Sequence, residues 1–223
     1  MANLMLRAIF AIAIGYFLGS IPSGLIVTNK LGVDVRKVGS GKTGATNVLR
    51  SSGLKPALIV ALADVVKGLL PTFFAMHFIA SSAALGSFSA WTPWVAGATG
   101  LAAIAGHNYP IYVGFKGGRG VATTAGVAFG ISWQTTLISA VFFFAPIVKT
   151  RYVSLGSMVG AAALPLIELV FLLTHLFGAQ PAYVLTLAVA AAAIIISHKD
   201  NIDRIRRGVE RKIGEKVSPK ATA

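Results

Sequence analysis

The chain has 223 residues, of which 55% are hydrophobic and 12% charged, and its mean hydropathy is +0.75; ordinary soluble domains carry about a quarter charged residues, so that class is excluded. It has no cysteine, which removes disulfides, thiolate catalysis and cysteine-held metals. A net charge of +13 would suit nucleic acid only if it coated a soluble face, and its placement argues otherwise.

The apolar residues run in blocks close to the ~20 residues that cross about 30 Å of hydrocarbon. Each block must be helical, because lipid offers backbone amides no partners. The expectation is an all-α, polytopic integral membrane protein, one domain over residues 1–223, with about seven transmembrane helices. They are placed at 5–27, 56–80, 94–106, 121–131, 134–148, 153–177 and 182–197. The first block lacks a small-residue cleavage site and reads as a retained span. The third to fifth are short, with only Ser132 and Trp133 between the last two, so a re-entrant pair is the alternative there.

Placed against these spans, 18 of the 20 Lys and Arg residues fall on one side, with only Arg7 and Lys67 elsewhere. The segments 81–91, 132–133 and 178–181 carry no charge. The positive-inside rule therefore puts the amino terminus outside and the carboxyl terminus in the cytoplasm. The basic tail, 198–223, alternates charges around Ile202, Ile205 and Val209. That pattern suits an amphipathic helix on anionic headgroups, though topology anchoring accounts for the same charges.

Between the first two spans lie Gly39, Ser40, Gly41, Lys42, Thr43, Gly44, Thr46, Asn47 and Arg50. Glycines at this density let backbone amides converge, and the hydroxyls and guanidinium add donors suited to phosphate. A nucleotide P-loop is rejected, because position 36, where its first glycine belongs, is Arg36. Before the fourth span, His107 is followed by Gly117, Gly118, Arg119 and Gly120, which deliver free amides and a cation to a helix amino terminus. Two such sites on one face imply two anionic groups.

After the last span, His198 and Asn201 lie three apart and share a helix face. The His198 to Asp203 spacing also fits the His-x-x-x-x-Asp pattern of a large acyltransferase family. It is discounted, because residues five apart on one helix diverge by about 140°. Within the spans, Asp64 and Lys67 form either a mutual bridge or part of a site wall, and Glu168 has no visible cationic partner.

Together and in this order, these clusters resemble the bacterial acyl-phosphate–glycerol-3-phosphate acyltransferase family. The resemblance adds Gly19-Ser20-Ile21-Pro22-Ser23-Gly24 and Arg151-Tyr152-Val153-Ser154-Leu155 and covers nearly the whole chain. It implies catalytic roles for Ser40, Arg50, Arg119, His198 and Asn201. Substrate or phosphate contacts are expected at Gly39, Gly41, Lys42, Gly44, Thr46, Asn47, His107, Gly117, Gly118, Ser154 and Ser157. Two residues depart from the family's pattern: Arg119 stands where lysine is usual, and Lys42 where asparagine is usual.

The implied reaction moves a fatty acyl group from acyl phosphate to the 1-hydroxyl of glycerol 3-phosphate. It would run in the bacterial inner membrane with the site facing the cytoplasm. No cofactor or metal is expected, since the few carboxylates do not cluster as hard-ion ligands. A soluble acyl-phosphate-forming enzyme is the implied pathway partner, and no nucleic acid is, because the tail from Asn201 has no aromatic residue. The competing class is a transporter for a phosphorylated or anionic solute, against which stand the missing inverted repeat and the one-sided placement of polar residues.

Overall fold

The computed structural model describes residues 2–80 and 90–215, so most of the uncharged 81–91 segment, and Lys216 and Lys220 of the tail, lie outside the described residues. The described residues form ten α-helices in order: α1 Ala2–Gly19, α2 Ser23–Asn29, α3 Ala45–Ser52, α4 Leu54–Ala80, α5 Thr92–Asn108, α6 Val121–Ile131, α7 Trp133–Thr150, α8 Val153–Leu173, α9 Pro181–Ser197 and α10 Lys199–Arg206. No strand occurs among the described residues.

All seven expected apolar blocks are helical; the first and sixth differ from expectation, and so does the tail. The first is two helices, α1 and α2, because Pro22 has no N–H to continue the ladder. The Ile21 carbonyl accepts from the Ser23 N–H at 3.0 Å and from the ammonium of Lys67 at 2.9 Å, so a buried charge on α4 holds the break. The sixth block stops at Leu173 rather than Phe177, and His175 and Phe177 take positive φ. Beyond α10 the amphipathic helix does not continue to Lys212. The chain turns at Gly208, at φ +71, and Ile213 exchanges hydrogen bonds with Arg151, through its N–H at 2.8 Å and from an Arg151 guanidinium at 2.8 Å.

Leu4–Asn29, Leu54–Phe78 and Val153–Leu173 are long and apolar enough to cross a membrane; Pro181–Ser197 with Lys199–Arg206, bent by 56°, makes a fourth if taken as one span. Helix α6, at 11 residues, rises only about 16 Å. The exterior is apolar, with Leu6, Leu58, Leu62 and Leu173 exposed, which suits lipid rather than water.

Inside, small residues draw the helices together. α1 lies on α5, where Gly15 and Gly19 meet Thr99 and Ala103. α4 lies on α6, where Gly68 faces Thr123 and Gly126 faces Val65. A Cβ added at any of these glycines would strike a backbone carbonyl. In lipid, where burial of apolar surface does not drive association, this close packing is the main source of cohesion. Glu168 on α8 is buried and has a neutral partner: Ser132 Oγ donates to Thr135 Oγ1 at 2.9 Å, which donates to the Glu168 carboxylate at 2.6 Å.

Candidate active site

The first glycine loop is organised by Asn47, in the first turn of α3. Its side-chain amide donates to the carbonyls of Val35, Val38 and Lys42 at 2.9–3.0 Å, and its oxygen accepts from the Ser40 N–H at 3.2 Å. Its hydrogen-bonding capacity is thereby spent on the loop. Gly39, at φ +58, leaves no room for a Cβ, which would meet Asn47 Oδ1. The result presents Ser40, Lys42 and Gly44 at the mouth of α3, which starts without a side-chain cap.

The second loop is folded onto His107, near the end of α5. The Gly118 N–H donates to the His107 carbonyl at 3.1 Å and the Gly117 N–H to the Asn108 carbonyl at 3.2 Å. A Cβ at Gly117 would strike that His107 carbonyl, and one at Gly118 the imidazole Nε2. The two glycines are therefore required by contact with His107. Arg119 follows, its Nε buried without a partner, and α6 begins at Gly120 with no side-chain cap. Unspent first-turn amides and an unspent guanidinium point to an anionic ligand.

The third group sits at the bend between α9 and α10. His198 places Nδ1 2.8 Å from the Ile194 carbonyl oxygen, which makes Nδ1 the protonated nitrogen and leaves Nε2 as an acceptor in the neutral ring. Asn201 donates to the Glu210 carboxylate at 2.7 Å, Ser154 does so at 2.8 Å, and Arg204 at 2.8 Å to its other oxygen. Burial acts to raise the Glu210 carboxyl, but these three donors outweigh it and hold the group below its usual value. Ser157 turns its hydroxyl to the Val153 carbonyl at 2.8 Å.

All three groups line one cavity of about 380 Å³. Its wall includes Ser40, Lys42, Gly44, Thr46, Asn47, Arg50, His107, Arg119, Ser154, Ser157, His198 and Asn201. Gly39, Gly41, Gly117 and Gly118 shape the loops behind that wall and do not line it. Burial lowers the pKa of Arg50, aided by the charge of Arg211, and that of Arg119, aided by Arg204. This crowding of cations is relieved by a bound anion.

One carboxylate that motif reading did not place in the wall is there, Glu210, expected on a headgroup-facing helix, and so is Asp64, for which the wall was one of two readings. Asp64 settles both readings of its pair, since it bridges Lys67 at 2.9 Å and also lines the cavity. The sequence offered no signal for Glu210, since four of the chain's 7 acidic residues, Asp200, Asp203, Glu210 and Glu215, lie in the tail.

Away from the cations the cavity continues as an apolar slot. One wall is α8, at Val153, Ser157, Ala161 and Leu164; the second is α7, at Phe144, Phe143, Ala140 and Thr136; the third is the start of α6, at Val121, Ala122 and Ala125. Steps of three and four along α8, and the same spacing from Thr136 to Phe143 on α7 and from Ala122 to Ala125 on α6, mark helix faces turned to a common space. Leu164 closes the far end, fixed in a buried cluster with Ala128, Ile131, Tyr183 and Leu187.

Fold and site together define an all-helical protein with a lipid-suited exterior and a pocket joining an anion site to an apolar slot. The family model described as glycerol-3-phosphate acyltransferase matches residues 9–208. The glycerol-3-phosphate acyltransferase of Synechococcus sp. (strain CC9902) is 42% identical over 96% of this chain and 98% of its own length. That of a Thermus thermophilus strain is 38% identical over 96% and 98%. The crystal structure of PlsY (YgiH), an integral membrane glycerol 3-phosphate acyltransferase, in its glycerol 3-phosphate form superposes with a TM-score of 0.81 at 37% identity, covering 93% of this chain and 96% of that one. Its lysophosphatidic acid form gives 0.79 at 36%, covering 93% and 95%. The chain belongs to the glycerol-3-phosphate acyltransferase family.

Proposed function

We propose that the protein transfers a fatty acyl group from acyl phosphate to the 1-hydroxyl of glycerol 3-phosphate, giving 1-acylglycerol 3-phosphate and inorganic phosphate. The observation that carries this reading is the continuity of the cavity: a cationic, amide-lined end opens into an apolar slot between α6, α7 and α8. A substrate with a phosphate head and an acyl tail fits both parts at once.

In this reading Arg119, the α6 amino terminus and the amides of loop 39–47 hold the donor's phosphate, and the chain lies in the slot. Arg50, His198 and Asn201 hold glycerol 3-phosphate, with Ser40 between the two substrates. The hydroxyl oxygen attacks the acyl carbonyl carbon, the carbon–oxygen bond to phosphate breaks, and phosphate leaves with the electron pair. His198 Nε2 or a phosphate oxygen takes the hydroxyl proton. A mixed anhydride is already activated, so orientation and charge stabilisation suffice and no acyl-enzyme is needed.

The working unit is the whole chain, a single membrane-embedded domain of seven crossings in the inner membrane, with the amino terminus outside and the site facing the cytoplasm. A soluble enzyme that forms acyl phosphate supplies the donor there. No observation on the cavity favours the transporter reading, which a flux assay in liposomes would test.

The test is phosphate release by the purified, detergent-solubilised protein given palmitoyl phosphate, with and without glycerol 3-phosphate. Release should need both substrates and collapse in Ser40→Ala. Folded protein that releases no phosphate in response to glycerol 3-phosphate would sink the assignment.

A further inference from the structure

The reaction scheme leaves two neighbouring buried polar residues in the cavity wall without work. Asp64 on α4 and His107 on α5 are 2% and 6% exposed, and both line the cavity. A single oxygen of Asp64 accepts from Ser23 Oγ at 2.7 Å and from Lys67 Nζ at 2.9 Å, and it lies 3.5 Å from His107 Nδ1. That last separation is too long for a hydrogen bond, and His107 Nδ1 is buried without a partner. A buried ring nitrogen in that state costs stability until something draws it into place.

The other end of the same ring faces the phosphate loop. Nε2 is the atom a Cβ at Gly118 would strike, and Arg119 is the next residue. The loop's first two amides are bonded to the His107 and Asn108 carbonyls, so ring and loop move as one piece. A carboxylate beside Nδ1, with Nε2 held against the turn that leads from Gly118 into Arg119, is the kind of arrangement by which a buried aspartate fixes the orientation of a working imidazole. Contacts of this kind are often long without substrate and tighten in the complex.

We propose that His107, oriented by Asp64, hydrogen-bonds through Nε2 to the phosphate of the acyl donor, while Asp64 acts through His107 as a positioning residue. Lys67 completes the arrangement. It neutralises Asp64, so that the carboxylate does not repel the incoming phosphate, and it ties the pair to the α1–α2 break through the Ile21 carbonyl. His107 thus serves the leaving group, on the opposite side of the transferred acyl from the glycerol 3-phosphate held by Arg50, His198 and Asn201.

This inference rests on the acyl-phosphate reading, and the test separates the two. Wild type, His107→Ala and His107→Gln are assayed for phosphate release with each substrate varied in turn, beside thermal unfolding in detergent. Asp64→Asn alone would strand the Lys67 ammonium, so the Asp64 arm uses Asp64→Asn with Lys67→Gln, made with and without His107→Ala. Loss of one charged hydrogen bond predicts a KM for palmitoyl phosphate raised about 10-fold or more in His107→Ala. The KM for glycerol 3-phosphate should stay near wild type, and Gln should restore part of the loss. The charge-pair variant should raise the same KM but add nothing once His107 is gone. Equal rises in both KM values, a fall in Tm with kinetics unchanged, or an additive effect of the charge pair would overturn the proposal. A wild-type protein inactive on palmitoyl phosphate would remove the reading beneath it, a result told apart by its appearing before any variant is compared.

Discussion

Glu210 ties Ser154, at the start of α8 and 56 residues away, to Asn201 and Arg204 on α10 and to the returning tail that carries it. Burial would raise its carboxyl from the reference value of 4.5, yet the hydrogen bonds from Arg204, Asn201 and Ser154 hold it lower. A carboxyl lowered on folding contributes its stability at pH above its unfolded value and loses it as pH falls through the folded one. The docked tail should therefore be fully held at neutral pH and weaken only in acid, below about pH 4.5. Thermal unfolding in detergent from neutral to acid pH should show Tm dropping in that window for wild type. Glu210→Gln should start lower at neutral pH and fall less; parallel curves would assign the acid loss to another group. Asn47 makes a related point about legibility. Its place in the glycine loop marked it as a substrate contact, but a side chain with three donated bonds to loop carbonyls is first a scaffold. Motif reading finds such residues without separating those that touch a ligand from those that shape what touches it.

At the scale of helices, the boundaries followed from where apolar runs meet Gly, Pro and charge, and α6, α7 and α9 begin or end within two residues of expectation. Features that needed a distant partner were not legible: the α1–α2 break is held by Lys67, and the tail's return is held by Arg151 and Ser154. The acyl slot belongs to this second kind, because three helix faces each read as ordinary membrane surface until they are brought together. Along α8 it runs from Ser154 to Leu164, about 15 Å at 1.5 Å per residue. Ala161 lies one turn short of the Leu164 end, so Ala161→Leu should fill the space of two or three methylenes. At ~0.8 kcal/mol for each buried methylene, that is about 2 kcal/mol, a ~30-fold loss of kcat/KM for palmitoyl phosphate. Octanoyl phosphate, too short to reach that depth, should be little affected. Equal losses on both donors would mean that the chain does not lie along α8.

For the whole molecule, the number of crossings is the property that composition leaves open. Three stretches, or four with the bent α9–α10 pair, pass on length and apolar character. Helix α6 rises only about 16 Å against roughly 30 Å of hydrocarbon. Seven crossings then require the bilayer, or water, to reach the α6–α7 turn. The buried polar run of Ser132, Thr135 and Glu168 at that turn is better placed near an interface than in the middle of a bilayer. Since the chain has no cysteine, single cysteines report on this directly. A membrane-impermeant maleimide should label Gln180→Cys and Trp133→Cys in intact cells, and Lys30→Cys and Lys212→Cys only after permeabilisation. Protection of Trp133→Cys with labelling of Gln180→Cys would make α6 and α7 a re-entrant pair and bring the crossings to five. The ends would still lie on opposite faces, because removing two crossings leaves the count odd and the cationic cavity mouth on the side of the tail.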